Sequence, residues 1–358
     1  MTDYLPNWQV LVLADDLTGA LETGAKFAGH GIAALVTTEL SLTPVGMNEA
    51  IQVLVIDTES RHLAPAEAAA RVHTLACAAR DWGVRFIYKK TDSTLRGNIA
   101  SELGALLEAY PGLRLVYVPA YPQMGRTVRQ GCLYVNGVPV SETEFARDPL
   151  NPIRESSVPH LFAGLVESIE VVDGEADADV KAAARSLLES GDRFLAAGPA
   201  ALAEHLAALG PWPRQQSAPW PAIHNALVIN GSRHELSARQ VRYAEGQGWP
   251  LVEPGAVATS GWAILKPGEA GPDVAARTGK MVRDMLKQVT LDALVVFGGD
   301  TAYGILSALA GPPLYPLGEV VPGVPLSRMR DLHLITKAGG FGSLDILSLL
   351  RDRLSRSQ

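Results

Sequence analysis

Short apolar runs alternate with helix-length segments from the start of the chain: "VLVLA" precedes "ALETGAKFAGHG", "IQVLVID" precedes "PAEAAARVHTLACAARDWG", and "VRFIY" precedes "NIASELGALLEAY". Strands alternating with helices of this length predict βαβ units, a mostly parallel sheet and an α/β fold. In such sheets ligands bind beyond the carboxyl ends of the strands. Three of those ends are polar here, "ADDLTG", "DTESRH" and "KKTDSTLRGN". Buried parallel strands are near-continuous apolar runs, so this density of charge is not core packing and points to a polar ligand.

The rhythm changes at "CLYVNGVPV", where two short β-type runs around Asn136-Gly137 predict a tight hairpin, and "SETEFARDPLNP" reads as a loop. Two more strand–helix pairs, "IEVVDG" with "ADVKAAARSLLESG" and "RFLAAG" with "PAALAEHLAALG", complete a first domain over 1–210. "PWPRQQSAPWP" carries four prolines and predicts a linker over 211–221. α/β alternation then resumes, giving a second domain over 222–358. Two domains suit a chain of 358 residues, and the expected active site is the cleft between them.

With 47% hydrophobic and 19% charged residues the chain has a globular composition. Its formal charge of −7, with no Lys/Arg stripe, argues against nucleic acid or an anionic membrane as partner. Cys77 and Cys132 are too few for a disulfide framework or metal knuckle. The first residues lack a signal-peptide pattern and no stretch is long enough to span a bilayer, so the expected location is the cytoplasm.

Asp15 and Asp16 fall where a strand turns into a helix. One of them can serve as N-cap, but adjacent carboxylates can also accept hydrogen bonds from polyol hydroxyls. "KKTDSTLRG" offers Asp92 as a general base, Arg96 as a two-pronged clamp for a carboxylate and Lys90 as a charge for a transferring phosphoryl group, or else a loop in which Ser93 or Thr94 caps the next helix. Arg61 of "DTESRH" and Arg126 of "YPQMGRTV" read equally as surface charges or as ligand contacts.

In the second domain "VINGSRH", "VVFGGDTA" and "ITKAGGFGSL" each place glycines or hydroxyls before a helix, a combination suited to phosphate. Lys337, beside Gly339 and Gly340, is either a phosphate-neutralising cation or a solvated lysine at a strand end. "VAARTGKM" lacks the first glycine and final hydroxyl of a P-loop, and "GGFGSLD" lacks the third glycine of a dinucleotide fingerprint.

Taken together, "LADDLTGALETGAKFAGHG", "YKKTDSTLRGN", "VPAYPQMGRTVRQGCLYVNGVPVSETEFARDPLNP", "VINGSR", "VVFGGDTA", "GEVVPGVPL" and "ITKAGGFG" resemble the four-carbon acid sugar kinase family over nearly the whole chain. The resemblance implies an ATP- and Mg²⁺-dependent kinase acting on the terminal hydroxyl of threonate, erythronate or an oxo-tetronate, with the acid on the N-terminal domain and the nucleotide on the C-terminal one. It implies ATP contacts from Ser232, Gly298, Gly299, Asp300, Thr301 and Gly340, and substrate contacts from Asp15, Asp16, Lys90, Asp92, Ser93 and Arg96. The expected roles are Asp92 as base with Asp16 in reserve, Arg96 on the substrate carboxylate with Arg126 next in line, and Lys337 with the triphosphate. The metal ligands stay unassigned and a homodimer stays open. The chain departs from the family pattern in an abbreviated segment before "VAARTG" and in "GSRH" for a serine-richer loop. A non-catalytic sensor of sugar acids or nucleotides, and a nucleotide-dependent dehydrogenase, are the rival readings.

Overall fold

The computed structural model describes residues 8–48, 50–165, 167–191, 193–216, 219–254, 256, 261–266 and 273–355. They form two compact units, Met1–Gln215 and Gln216–Gln358. Both are α/β with mostly parallel sheets.

The first unit runs β1 (Val10–Ala14), α1 (Leu17–Gly29), β2 (Ala34–Thr37), β3 (Val53–Asp57), α2 (Pro65–Asp81), β4 (Phe86–Lys90), α3 (Ile99–Ala109) and β5 (Leu115–Tyr117). It continues through β6 (Arg126–Arg129), β7 (Cys132–Val135), β8 (Val138–Pro139), β9 (Ile169–Val171), α4 (Asp177–Glu189), β10 (Phe194–Gly198) and α5 (Ala200–Leu209). Its main sheet has the order β2-β3-β1-β4-β10-β5-β9, every pair parallel. β1, β3 and β4 are buried along their whole length, which is why "VLVLA" and "VLVID" carry no polar face. The chain lays down β1, β2 and β3 on one flank before crossing to β4 on the other. The ends of β3, β1 and β4 therefore lie side by side at the reversal of strand order, where open α/β sheets place their ligands.

A small antiparallel sheet, β6-β7-β8, carries the expected hairpin, with Asn136 (φ 51°) and Gly137 (φ 83°) both left-handed as a primed two-residue turn requires. The proline-rich segment expected as a linker is packed over its first part. Trp212 is 2% exposed and meets the rings of Phe27 and Phe86 edge-on at 5.6 and 5.8 Å. The Gln215 amide donates to the Gly31 carbonyl at 2.7 Å. Prolines prevent regular structure there, but an indole still buries apolar area wherever the core offers a slot.

The second unit runs β11 (Ala226–Asn230), α6 (Glu235–Gly246), β12 (Leu251–Val252), β13 (Trp262–Leu265), α7 (Val274–Leu286), β14 (Ala293–Phe297) and α8 (Gly299–Ala308). β15 (Tyr315–Val321), β16 (Val324–Met329), β17 (Leu332–Lys337) and α9 (Ile346–Leu354) follow. The sheet order is β12-β13-β11-β14-β17-β16-β15. β12, β13, β11, β14 and β17 are parallel, and β15-β16-β17 close the edge as an antiparallel meander. Val228, Val295, Phe297 and Ile335 on the sheet pack with Ile346, Leu347 and Leu350 of α9 in one core. Among the described residues no helix is long and apolar enough to cross a membrane.

Candidate active-site loops

In the first unit, the carboxyl ends of β3, β1 and β4 bring Arg61, Asp15 with Asp16, and Lys90 with Asp92 together. Arg61 Nε lies 2.7 Å from Asp15 Oδ2 and its other nitrogens reach Asp15 Oδ1 at 2.9 Å, Asp16 at 2.8 and 2.9 Å, and Asp92 Oδ2 at 3.9 Å. The planar fork suits this multiple engagement. The arginine is thus spent on three aspartates. Gly97 is left-handed (φ 91°), and a Cβ there would come within 3.2 Å of Arg61 Cγ, so the residue opens room for that side chain.

Asp16 is the N-cap of α1, accepting from the Gly19 amide at 3.0 Å and from Thr18 at 2.5 Å. Burial pushes its carboxyl up, but the charges of Arg61 and Lys90 and the bonds from Thr18 and Gly19 hold it below the usual range. Lys90 is buried, donates to the Thr91 carbonyl at 2.9 Å, and lies where a Cβ on Gly19 would be 2.7 Å from its Nζ.

Asp92 and Arg96 form a two-pronged pair, 3.1 Å from Nε and 2.7 Å from Nη2, and Arg96 Nη1 reaches Asp148 at 3.3 Å. The Thr94 amide adds a bond to Asp92 at 2.9 Å. Although burial raises it, Arg96 and Arg61 hold the Asp92 carboxyl well below the usual range. The turn that closes this pair puts Leu95, buried, at φ 67°, a left-handed strain in a non-glycine residue. Thr94 bonds to Asp92 rather than capping α3, whose N-cap is Asn98, and Ser93 is half-buried in the same turn.

Arg126 is half-buried, bonds to the Met124 carbonyl, and has its Nε buried without a hydrogen-bond partner among the described residues. Burial lowers its affinity for protons, and the charges it feels include Asp92 and Arg96. Behind these groups lies a buried layer that sequence reasoning missed. Lys89 and Glu102, 0% and 1% exposed, form an ion pair at 3.1 Å. Glu102 also accepts from Ser60, and Ser60 meets Thr58 at 2.7 Å, whose hydroxyl donates to Ala14 O. One network therefore ties the ends of β1, β3 and β4 to α3. Asp57 was also missed; burial and its neighbour Glu59 push its carboxyl well above the usual range. The signal for both was positional, since each lies in or beside a polar strand end.

In the second unit, β11, β14 and β17 are adjacent, and Asn230, Phe297 and Lys337 stand in register at their ends. The loops that follow approach to contact. A Cβ on Gly231 would strike Thr301, one on Gly298 (φ 106°) would come within 3.1 Å of the Ser232 amide, and one on Gly339 within 2.6 Å of Ser232 Oγ. Gly298, Gly299, Asp300 and Thr301 form the N-cap and first turn of α8, where backbone amides lack intrahelical partners. Gly340 lies 3.3 Å, at its Cβ position, from His234, the N-cap of α6.

Lys337 is not solvated. It is 0% exposed, donates to Ala338 O, Gly339 O and Ser237 Oγ at 3.0, 3.1 and 3.2 Å, and sits 4.4 Å from the centre of the Phe297 ring. Burial pulls it down to about 7. Of the abbreviated segment, residues 263–273, residues 267–272 lie outside the described ones.

Comparison with known proteins matches residues 10–169 to a sugar-binding N-terminal domain and residues 263–347 to a nucleotide-binding C-terminal domain. The D-threonate kinase of Bordetella bronchiseptica is 32% identical, with 94% of this chain and 95% of that protein covered. The 3-oxo-tetronate kinase of Brucella melitensis is 25% identical, with 93% and 92% covered. A crystal structure from Salmonella typhimurium described as a putative tRNA synthase superposes with a TM-score of 0.79 over 98% of this chain and 99% of that one, at 20% identity, a likeness of fold. With kinases matched over more than nine-tenths of the chain and both domain models in place, the chain belongs to the four-carbon acid sugar kinase family and is a phosphotransferase acting on a sugar acid.

Proposed function

We propose that the protein transfers the γ-phosphoryl group of ATP to the terminal hydroxyl of a four-carbon sugar acid, with D-threonate the first substrate to test. The observation that carries the nucleotide half is the meeting of Gly231, Gly298 and Gly339, each following a different parallel strand: a Cβ at Gly231 or Gly339 would collide with a neighbouring loop and one at Gly298 would crowd it. Backbone can approach phosphate closely there, and the first turn of α8 adds amides and a positive dipole. ATP binds through Ser232, Gly298, Gly299, Asp300, Thr301, Gly339 and Gly340 in this reading. Mg²⁺ bound through phosphates needs only a carboxylate or two from protein, which fits exposed Asp300 at the first turn of α8. The ion would supply charge neutralisation at the transferring group.

Phosphoryl transfer asks the chain mainly to position its reactants and to meet developing charge. Asp15, Asp16 and Asp92 accept hydrogen bonds from the acid's hydroxyls, with Asp92 orienting the attacking one and taking its proton. Asp92 and Asp148 already engage Arg96, so the substrate carboxylate falls to Arg126, whose Nε has no hydrogen-bond partner among the described residues. Lys90 provides positive charge beside Asp16.

The test is turnover by purified protein with MgATP and D-threonate, followed by phosphorus NMR of the product, with L-threonate, both erythronates and the oxo-tetronates in parallel. A 4-phosphate from D-threonate with the highest kcat/KM is expected. Phosphorylation of another acid alone would overturn the substrate, and no ADP from any acid would overturn the reading.

A further inference from the structure

The loop after β17 has five carbonyl groups turned toward protein rather than toward a ligand. Gln240, fully buried on α6, donates its side-chain amide to Phe341 O, Gly342 O and Ser343 O at 3.0, 3.2 and 2.9 Å. Three carbonyl neighbours fix which end of that amide faces them. One turn earlier on the same helix, Ser237 donates to Gly339 O at 2.9 Å and accepts from Lys337, whose other two protons go to Ala338 O and Gly339 O. The ammonium's three donors are all used within the protein, and the Phe297 ring covers it. By contrast the amides of Gly339 and Gly340 donate to no group among the described residues.

Phosphate is repelled by carbonyl oxygens and held by amides, so a loop that binds it must face one way. We propose that Lys337, Ser237 and Gln240 act together as a buried retainer: they draw the carbonyls of Ala338, Gly339, Phe341, Gly342 and Ser343 inward and so present the Gly339 and Gly340 amides to the phosphates of the nucleotide. All three are positioning residues. Lys337 acts through the loop and makes no contact with phosphate. The inference rests on the nucleotide site proposed above.

The experiment is calorimetric titration of Ser237→Ala, Gln240→Leu and Lys337→Met with MgATP and, separately, with adenosine. Losing its retaining hydrogen bonds should weaken MgATP by about tenfold or more in each variant, with adenosine affinity and the KM for the acid unchanged. Wild-type MgATP affinity in Ser237→Ala and Gln240→Leu alongside a large loss in Lys337→Met would overturn the retainer and make Lys337 a direct phosphate ligand. Equal losses for MgATP and adenosine would also overturn it. Should a variant fail to fold, amide exchange of the wild-type protein serves: MgATP should protect Gly339 and Gly340, and unprotected amides on a bound nucleotide would refute the proposal. Failure of wild-type protein to bind MgATP would instead sink the nucleotide site itself.

Discussion

Arg61→Met removes a cation shared by Asp15, Asp16 and Asp92 while keeping an apolar stem in the same slot. The guanidinium is 11% exposed and lies 2.7 to 2.9 Å from four aspartate oxygens. Leaving buried charge without its partner costs about 3–5 kcal/mol. The loss should depend on pH with a fixed sign. In the wild type, the carboxyls of Asp16 and Asp92 are held below their unfolded values, so their contribution is present above the unfolded carboxylate range and lost as pH falls through the folded values. Without Arg61 burial has less opposition, the folded variant takes up protons more readily, and its deficit shrinks in acid. Urea unfolding of the first unit should therefore show a midpoint lower by about 1–2 M at pH 7.5. At pH 5 the deficit should be smaller by about 1 kcal/mol or more, one pH unit of proton uptake by one carboxylate. A deficit below about 1 kcal/mol at pH 7.5, or the same deficit at both values, would refute the reasoning.

Asp92→Asn should lower kcat on the order of 10² in a folded protein, and an unchanged kcat would move the proton acceptor elsewhere, to Asp16 first. Arg126→Gln should raise the KM for the sugar acid by about tenfold and leave that for MgATP alone; equal changes in both would remove Arg126 from the carboxylate. Glu102→Leu strands the fully buried Lys89 charge and should destabilise the first unit by about 3–5 kcal/mol, much of which a second change, Lys89→Met, should restore, as thermal unfolding of single and double variants would show. A double variant no more stable than the single one would count against that pair.

The apolar runs and helix-period segments made the α/β architecture legible, because a strand buried on both faces leaves no other pattern. The β15–β16 ribbon was not: "YPLGEVVPGVPL" is broken by Pro316, Gly318, Pro322, Gly323 and Pro325. Those residues are tolerated because β15 is an edge strand with register shifts and Pro325 stands before the pairing of β16 with β17 begins. In the site, the polar strand ends were readable as a group, but their pairings were not. Arg96 looked available for a substrate carboxylate until its four-residue spacing from Asp92 folded into a turn. Lys337 read as either a phosphate-neutralising cation or a solvated lysine, because a lysine beside glycines gives no sign that Ser237, a hundred positions earlier, will accept a hydrogen bond from it.

The balance of signs around the first unit's loops has a kinetic consequence. Asp15, Asp16, Asp92 and Asp148 stand against Arg61, Lys90, Arg96 and Arg126, Glu22 and Glu144 add negative charge near Arg126, and Lys89 cancels Glu102 behind them. A region so compensated projects little positive field beyond its rim, on a chain whose formal charge of −7 already opposes an anion. Capture of a small acid by these loops then owes little to long-range attraction. Its second-order rate should change only slightly between dilute buffer and 0.5 M salt, setting recognition by short-range fit apart from electrostatic steering.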